Sequence, residues 1–403
     1  MSYRFITLLL WPILFLYTLR VAIRDRSLRY FLQRMGFAYP AVSSNTIWTH
    51  CASVGEVNTY LPLHLKLVEK YPEKQFVITT NTTTGARTIQ GHKIQRTNHC
   101  YLPVEWGFSI KRFLNAWTPE KCLVMETEIW PLLYQQCNKR EIPVYIINAR
   151  LSHRTLNANN WLRSIYKNAL SKVETILCKS STELDNFKTL GAVDSQLITT
   201  GNLKFSSIAS PEKIQPITLD EKTFCVAAST HNNEEQQLAE LWCKLETDRI
   251  LTIVPRHPNR SQQIQKQLSQ LKINYAVRSK NQPINKNTKI YLADTLGELN
   301  RFIAGADFVF IGGSLIPHGG QNILEPARLG KAIVCGPHMF NFVDELDLLL
   351  SQGGCLQVKN IEELENTFQN LLTDYELCQR IGKNALAAMD KQSNILDAYL
   401  KYL

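Results

Sequence analysis

From about residue 45 onward, short runs of β-branched and apolar residues alternate with helical patterns. The first half carries Thr46–His50, Phe76–Thr80, Cys122–Met125, Val144–Ile147, Thr175–Cys178 and Leu197–Thr200. The second carries Phe224–Ala228, Ile250–Val254, Ile290–Leu292, Phe308–Ile311 and Ile333–Cys335. A strand that is apolar along its whole length has no solvent face, so it belongs in a parallel sheet covered by helices on both sides. Each half therefore reads as a doubly wound α/β domain, and 403 residues suit two such domains better than one core. The expected boundaries are 36–205 and 223–403, with the last helix packing back on the first domain. Between them 206–222, with Pro211, Pro216 and little apolar periodicity, has the composition of a linker. A cleft between two such domains is the expected place for a ligand.

Residues 1–35 differ. Phe5 to Leu19 form an uncharged run of 15 residues, followed by Arg20, Arg24, Arg26, Arg29 and Arg34 against a single Asp25. The cationic cluster follows the apolar run and no small-residue cleavage site appears, which argues against a signal peptide. The run is short for a full span. It reads as a membrane-anchor helix, marginally spanning or embedded in the interface, with Trp11 and Tyr17 as candidate interfacial residues. The plain alternative is a buried amino-terminal helix. The arginines would place everything downstream on the cytoplasmic side, against anionic lipid.

A formal net charge of +10 points to an anionic partner: nucleic acid, an acidic membrane surface or a phosphorylated substrate. Neither a basic stripe interleaved with aromatics nor a nucleic-acid recognition module occurs, which disfavours nucleic acid. The ten cysteines are scattered without a C-x-x-C pair, and the nine histidines without H-E-x-x-H. Reduced, buried thiols are expected, with no disulfide framework, no metal and no cofactor.

Several strand-to-helix joints carry polar residues where α/β enzymes place their chemistry. In CASVGEVNTYLPL (51–63) Glu56 sits in the first turn of a helix. Alone it complements the helix dipole, which would lower its pKa. Met125-Glu126-Thr127-Glu128 follows another strand, and Gly201-Asn202-Leu203-Lys204 closes the last one of the first half. In the second half, Ser229-Thr230-His231, Pro255-Arg256-His257, Asp294-Thr295-Leu296-Gly297-Glu298 and Gly312-Gly313-Ser314 all end strands. The glycine loop lets backbone amides approach a ligand, and a helix starting near Asn322 points its amino terminus the same way. Asn322 and Glu325 also have the spacing of a capping-box variant. Taken singly, each residue has a bland account as a cap or surface charge. Four such loops at one sheet edge make a coherent nucleotide site.

Eleven motifs occur in a fixed order: SVGE (53–56), TTNTTTG (79–85), METEIWP (125–131), NARLS (148–152), GNLKF (201–205), STH (229–231), PRHP (255–258), DTLGEL (294–299), GGSL (312–315), NILEPA (322–327) and GPHMFNF (336–342). This ensemble resembles the bacterial 3-deoxy-D-manno-octulosonic acid (Kdo) transferases, lipid A-specific glycosyltransferases of lipopolysaccharide assembly, over nearly the whole chain. The resemblance implies the GT-B fold: two Rossmann-like domains, the first for the acceptor and the second for the nucleotide sugar, behind an anchor at the inner membrane. It implies inverting, metal-independent transfer of Kdo from CMP-Kdo to the lipid A precursor lipid IVA. Carried over by motif, Glu56 is the general base, and Glu126 and Lys204 stabilise the transition state. Pro255, Arg256, Leu296, Gly297, Glu298, Asn322, Ile323, Leu324 and Glu325 contact the CMP, beside Ser229, Thr230 and Gly313. Gln321 and Ile323 depart from the usual GGHNPLEP pattern, standing where His and Pro are expected. A nonhydrolysing nucleotide-sugar epimerase of similar fold and an inactive membrane scaffold are the rival readings. METEIWP and the anchor argue against the first, and the intact Glu56, Glu126, Lys204 and Arg256 against the second.

Overall fold

The computed structural model describes residues 3–40, 45–206, 214–219 and 222–403, without the side chains of 4–6 and 153. Most of the expected linker lies outside these residues. The chain divides into two compact units, Met1–Ser207 with Asn394–Leu403, and Ile208–Ser393.

The first unit is built on β1 (Thr46–His50), β2 (Gln75–Thr80), β3 (Thr97–Tyr101), β4 (Pro119–Met125), β5 (Val144–Ala149), β6 (Thr175–Cys178) and β7 (Leu197–Thr199). They pair in the order β3-β2-β1-β4-β5-β6-β7, every pair parallel. The second unit holds β8 (Phe224–Thr230), β9 (Ile250–Pro255), β10 (Tyr275–Val277), β11 (Ile290–Leu292), β12 (Phe308–Ile311), β13 (Ala332–Cys335) and β14 (Cys355–Gln357). Its order is β10-β11-β9-β8-β12-β13-β14, again parallel throughout.

The inner strands are buried on both faces, as continuous apolar runs require. Trp48, Phe113 and Trp117 fill the first core, and Trp242, Phe308 and Phe368 the second. All ten cysteines are free thiols, and nine are buried among these side chains. Helices start at polar caps: Ser53, Thr82, Ser180 and Asn360 each accept a backbone N–H from the first turn.

The single anchor helix expected in 1–35 does not form. The run splits at Leu10 into helices Tyr3–Leu9 and Trp11–Arg24, because Pro12 has no N–H and fits only the first turn of a new helix. Among the described residues, no helix is long and apolar enough to cross a membrane. One side of this segment packs inward, Trp11 on Trp106 and Phe15 on Phe31. The other side leaves Leu8, Leu9, Ile13, Leu16 and Tyr17 exposed. The arginine collar is also partly spent internally: Arg34 donates to Asn81 and Leu102, and Arg29 to the His99 carbonyl.

The carboxyl-terminal helix Ile395–Leu400 belongs to the first unit, packing on the helix Val54–Lys70 and on the turn at 203–206. Tyr399, fully buried, donates its hydroxyl to the Gly201 carbonyl at 2.8 Å. Tyr399→Ala should therefore cost the first unit about 3 kcal/mol, and Tyr399→Phe about 1 kcal/mol, measured by chemical denaturation. Equal losses for both variants would show that the hydroxyl rather than the ring does the holding.

Candidate active site

In an open parallel sheet, ligands bind at the carboxyl edge where the strand order reverses, because the flanking helices diverge there. The first reversal lies between β1 and β4. Glu56 follows β1 and Glu126 follows β4. Ser53 caps the helix Val54–Lys70, and the Glu56 carboxylate turns back to accept the Ala52 N–H at 2.8 Å and the Ser53 hydroxyl at 3.2 Å. The capping role is real, yet the expected fall in pKa does not follow. Burial pushes the Glu56 carboxyl up to about 8, with Glu126 and Glu128 adding to the rise against the pull of the Ala52 N–H.

Glu126 is buried and turns the chain at φ 56°, a conformation costly for a residue with a Cβ. Its carboxylate takes Nε of Arg150 at 2.6 Å. Burial also raises the Glu128 carboxyl, and Glu126 adds to the rise. His50, 3.9 Å from Glu128, is held neutral, its pKa pushed down to about 3 by burial. Lys204 rides on a turn fixed to the end of β5, where the Asn148 side chain accepts the Leu203 N–H and Asn202 accepts that of Lys204 itself. The edge thus gathers three carboxylates and two cations. Arg150 and Asn148 had no assigned role in the sequence; their signal was the NARLS motif placed directly at the end of β5.

The second reversal lies between β8 and β12. Ser229, at φ 56°, and Thr230 end β8, while Gly313 follows β12. The glycine loop does not offer its amides to a ligand as expected. The buried carboxylate of Glu234 accepts the N–H groups of Gly313 (2.6 Å), Ser314 (3.0 Å), Leu315 (3.1 Å) and His231 (3.0 Å). Gly312 is required for packing: a Cβ there would lie 2.5 Å from the Ser229 carbonyl oxygen.

Arg256 stands exposed at the end of β9, its N–H on the Thr230 carbonyl, while Pro255 is buried. Leu296 is 82% exposed and Gly297 turns at φ 83°. Glu298 already holds Arg278 through both oxygens, at 2.9 and 3.2 Å. The expected helix near Asn322 is only Leu324–Arg328, five residues, and Asn322 accepts the Leu324 N–H. Ile323 and Leu324 are core side chains, so a ligand meets only their main chain. Glu325 is raised by burial, with Asn322 and Arg256 pulling the other way, which puts these three polar groups together. The role of Glu234 is not legible in the sequence because three of its four partners, Gly313, Ser314 and Leu315, lie some 80 residues downstream.

Glu234→Gln replaces an acceptor oxygen with an N–H facing other N–H groups. It should destabilise the second unit by about 2 kcal/mol or more in denaturant unfolding, and unchanged stability would mean that the loop is held by packing alone.

A family model described as "3-Deoxy-D-manno-octulosonic-acid transferase (kdotransferase)" matches residues 29–207. The 3-deoxy-D-manno-octulosonic acid transferase of Haemophilus influenzae is 34% identical over 367 residues, covering 89% of this chain and 86% of its own. That of Rickettsia prowazekii is 30% identical over 370 residues, covering 89% and 79%. The fold is also that of UDP-GlcNAc 2-epimerase from Neisseria meningitidis, at a TM-score of 0.60 and 14% identity over 88% of this chain and 100% of that one. At that identity the likeness concerns the fold alone, a GT-B-like pair of α/β units, whereas the close relatives along almost the whole chain are transferases. The chain belongs to the 3-deoxy-D-manno-octulosonic acid transferase family.

Proposed function

We propose that this transferase moves Kdo from CMP-Kdo to lipid IVA, a lipid A precursor, in lipopolysaccharide assembly, with Glu56 as the general base. The observation that carries the base assignment is the raised Glu56 carboxyl beside Glu126 and Glu128. An acceptor hydroxyl is a poor nucleophile until a base takes its proton as the new bond forms, and a base works best with a pKa near the working pH. The acceptor oxygen bonds to the anomeric carbon of Kdo, the bond from that carbon to the CMP oxygen breaks with its electron pair, and the proton passes to Glu56. A single base and a displacement from the opposite face give inversion. Glu126, held by Arg150, and Lys204 shape the field at the acceptor. Arg256, the turn at Leu296 to Glu298, and Asn322 and Glu325 hold the CMP portion, whose growing negative charge Arg256 stabilises.

The acceptor is a phosphorylated amphiphile, and the amino-terminal helices fit a role at the surface where it resides. Leu8, Leu9, Ile13, Leu16 and Tyr17 are each more than half exposed on one side of a segment that carries Arg20, Arg24 and Arg26. Such a segment lies in an anionic interface without crossing it. On this reading the enzyme works at the cytoplasmic face of the bacterial inner membrane, where its lipid acceptor resides.

Glu56→Gln should lower transfer by about 10²–10⁴-fold while CMP still binds. Because the folded pKa is raised, Glu56 stabilises the fold when protonated. That contribution is full below about 4.5 and is lost as pH rises through about 8, so the variant should keep or gain thermal stability at pH 8. In the parent enzyme kcat/KM should climb with pH to a plateau above about 8. Near-normal turnover by the variant would remove Glu56 as the base.

A further inference from the structure

The helix Pro131–Asn138 begins where the turn carrying Glu126 and Glu128 ends, and Trp130 before it supplies no side-chain cap. The cap comes instead from Glu105, on the loop after β3. One of its carboxylate oxygens accepts the Leu132 N–H at 2.7 Å, and the other accepts the hydroxyl of Tyr3. Glu105 is 8% exposed, and a carboxylate so buried needs its donors. Burial lifts its carboxyl to about 7, while the Tyr3 hydroxyl and the N–H groups of Leu132 and Leu133 pull the other way. An open cleft of about 330 Å³, lined by Tyr3, Pro131, Leu132, Gln135 and Ile165 among others, flanks the contact. Hydrogen bonds rather than close packing therefore fix the helix start on that side.

Contacts run on from Glu105 in both directions. Towards the site, Tyr134 of the same helix is fully buried and donates its hydroxyl to the Glu128 carbonyl at 2.7 Å. The carboxylate turn is thus held between this helix and β5, whose Ile147 carbonyl accepts the Glu126 N–H at 2.9 Å. Towards the surface, Tyr3 opens the helix Tyr3–Leu9, which leaves Leu8 and Leu9 exposed. Trp11 packs on Trp106, the residue after Glu105, at 5.9 Å between ring centroids. The amino-terminal segment therefore grips the 105–106 loop at two points.

We infer that Tyr3 and Glu105 are positioning residues for transfer. The amino-terminal helix, seated at the lipid surface, holds Glu105; Glu105 holds the start of the helix Pro131–Asn138; and that helix, through Tyr134, holds the turn that presents Glu126 and Glu128. This rests on the transferase reading above. A displacement of about 1 Å at a reacting centre can cost about 10²-fold in rate, so a loosened turn is felt in turnover before it is felt in donor binding. The amino-terminal segment then does more than bring the enzyme to its acceptor: it completes the support of the carboxylates. Links in one such chain share their effect, so removing two of them should cost no more than removing one.

The test compares the full-length parent with Tyr3→Phe, Tyr134→Phe and the double variant. Each is assayed with CMP-Kdo and lipid IVA in mixed micelles of detergent and phosphatidylglycerol, the folded enzyme being counted by calorimetric titration with CMP. Each single variant should lower kcat about tenfold, keep KM for CMP-Kdo and CMP affinity within about twofold, and the double variant should fall no further than the slower single one. Tyr3→Phe should still float with phosphatidylglycerol vesicles as the parent does, which separates positioning from anchoring. A kcat for either single variant within about twofold of the parent's, losses that multiply in the double variant, or lost flotation would overturn the inference and leave the transferase reading intact. A parent protein that binds CMP yet transfers nothing to lipid IVA would overturn that reading and the inference with it.

Discussion

Parallel strands buried on both faces leave a sheet only one place to do chemistry, its carboxyl edge, and the chain order decides where on that edge. In each unit the order reverses beside the first strand, between β1 and β4 and between β8 and β12. The helices leaving those strands diverge, and the loops that begin them line the opening. Glu56 and Glu126 flank the first reversal, while His231 and Gly313 flank the second. The motifs recur at strand ends because only residues there escape the packed layers.

At the first opening desolvation outweighs the local dipole. A helix amino terminus stabilises a nearby carboxylate by about 0.3–1 kcal/mol. Moving a carboxyl from its ordinary range to about 8 is an effect of several kcal/mol in the other direction. Partial burial beside two further carboxylates therefore wins over the cap, and a residue that caps a helix also keeps a raised carboxyl. In the second unit no such competition arises: burial and the surrounding His and Arg side chains all push the His231 imidazole down. Glu234 shows what a buried carboxylate needs when it is structural, namely four N–H donors.

The inner strands of both sheets were legible as continuous apolar runs, and all eleven runs became strands. The three strands without such a run, β3, β10 and β14, are sheet edges. Edges are short or half-polar, as in Thr97-Asn98-His99 and Leu356-Gln357, so they lack the signature of a strand buried on both faces. The strand-end positions of Glu56, Glu126 and Lys204 were legible because these residues follow apolar runs within recognisable motifs. The use of the glycine loop was not, since its amides are claimed by Glu234, far away in sequence. The amino-terminal run was legible as an apolar segment beside arginines. Its division at Leu10 and the inward turn of Arg34 depend on partners that hydropathy does not reveal.

Transfer of Kdo to a lipid A precursor is the proposed reaction, and the intact reaction tests it most directly. Purified full-length protein should be incubated with CMP-Kdo and lipid IVA and the lipid examined by mass spectrometry. Lipid IVA should emerge heavier by whole Kdo residues, with one CMP released for each Kdo added. Unmodified lipid IVA, whether CMP-Kdo stays intact or is merely hydrolysed, would contradict it.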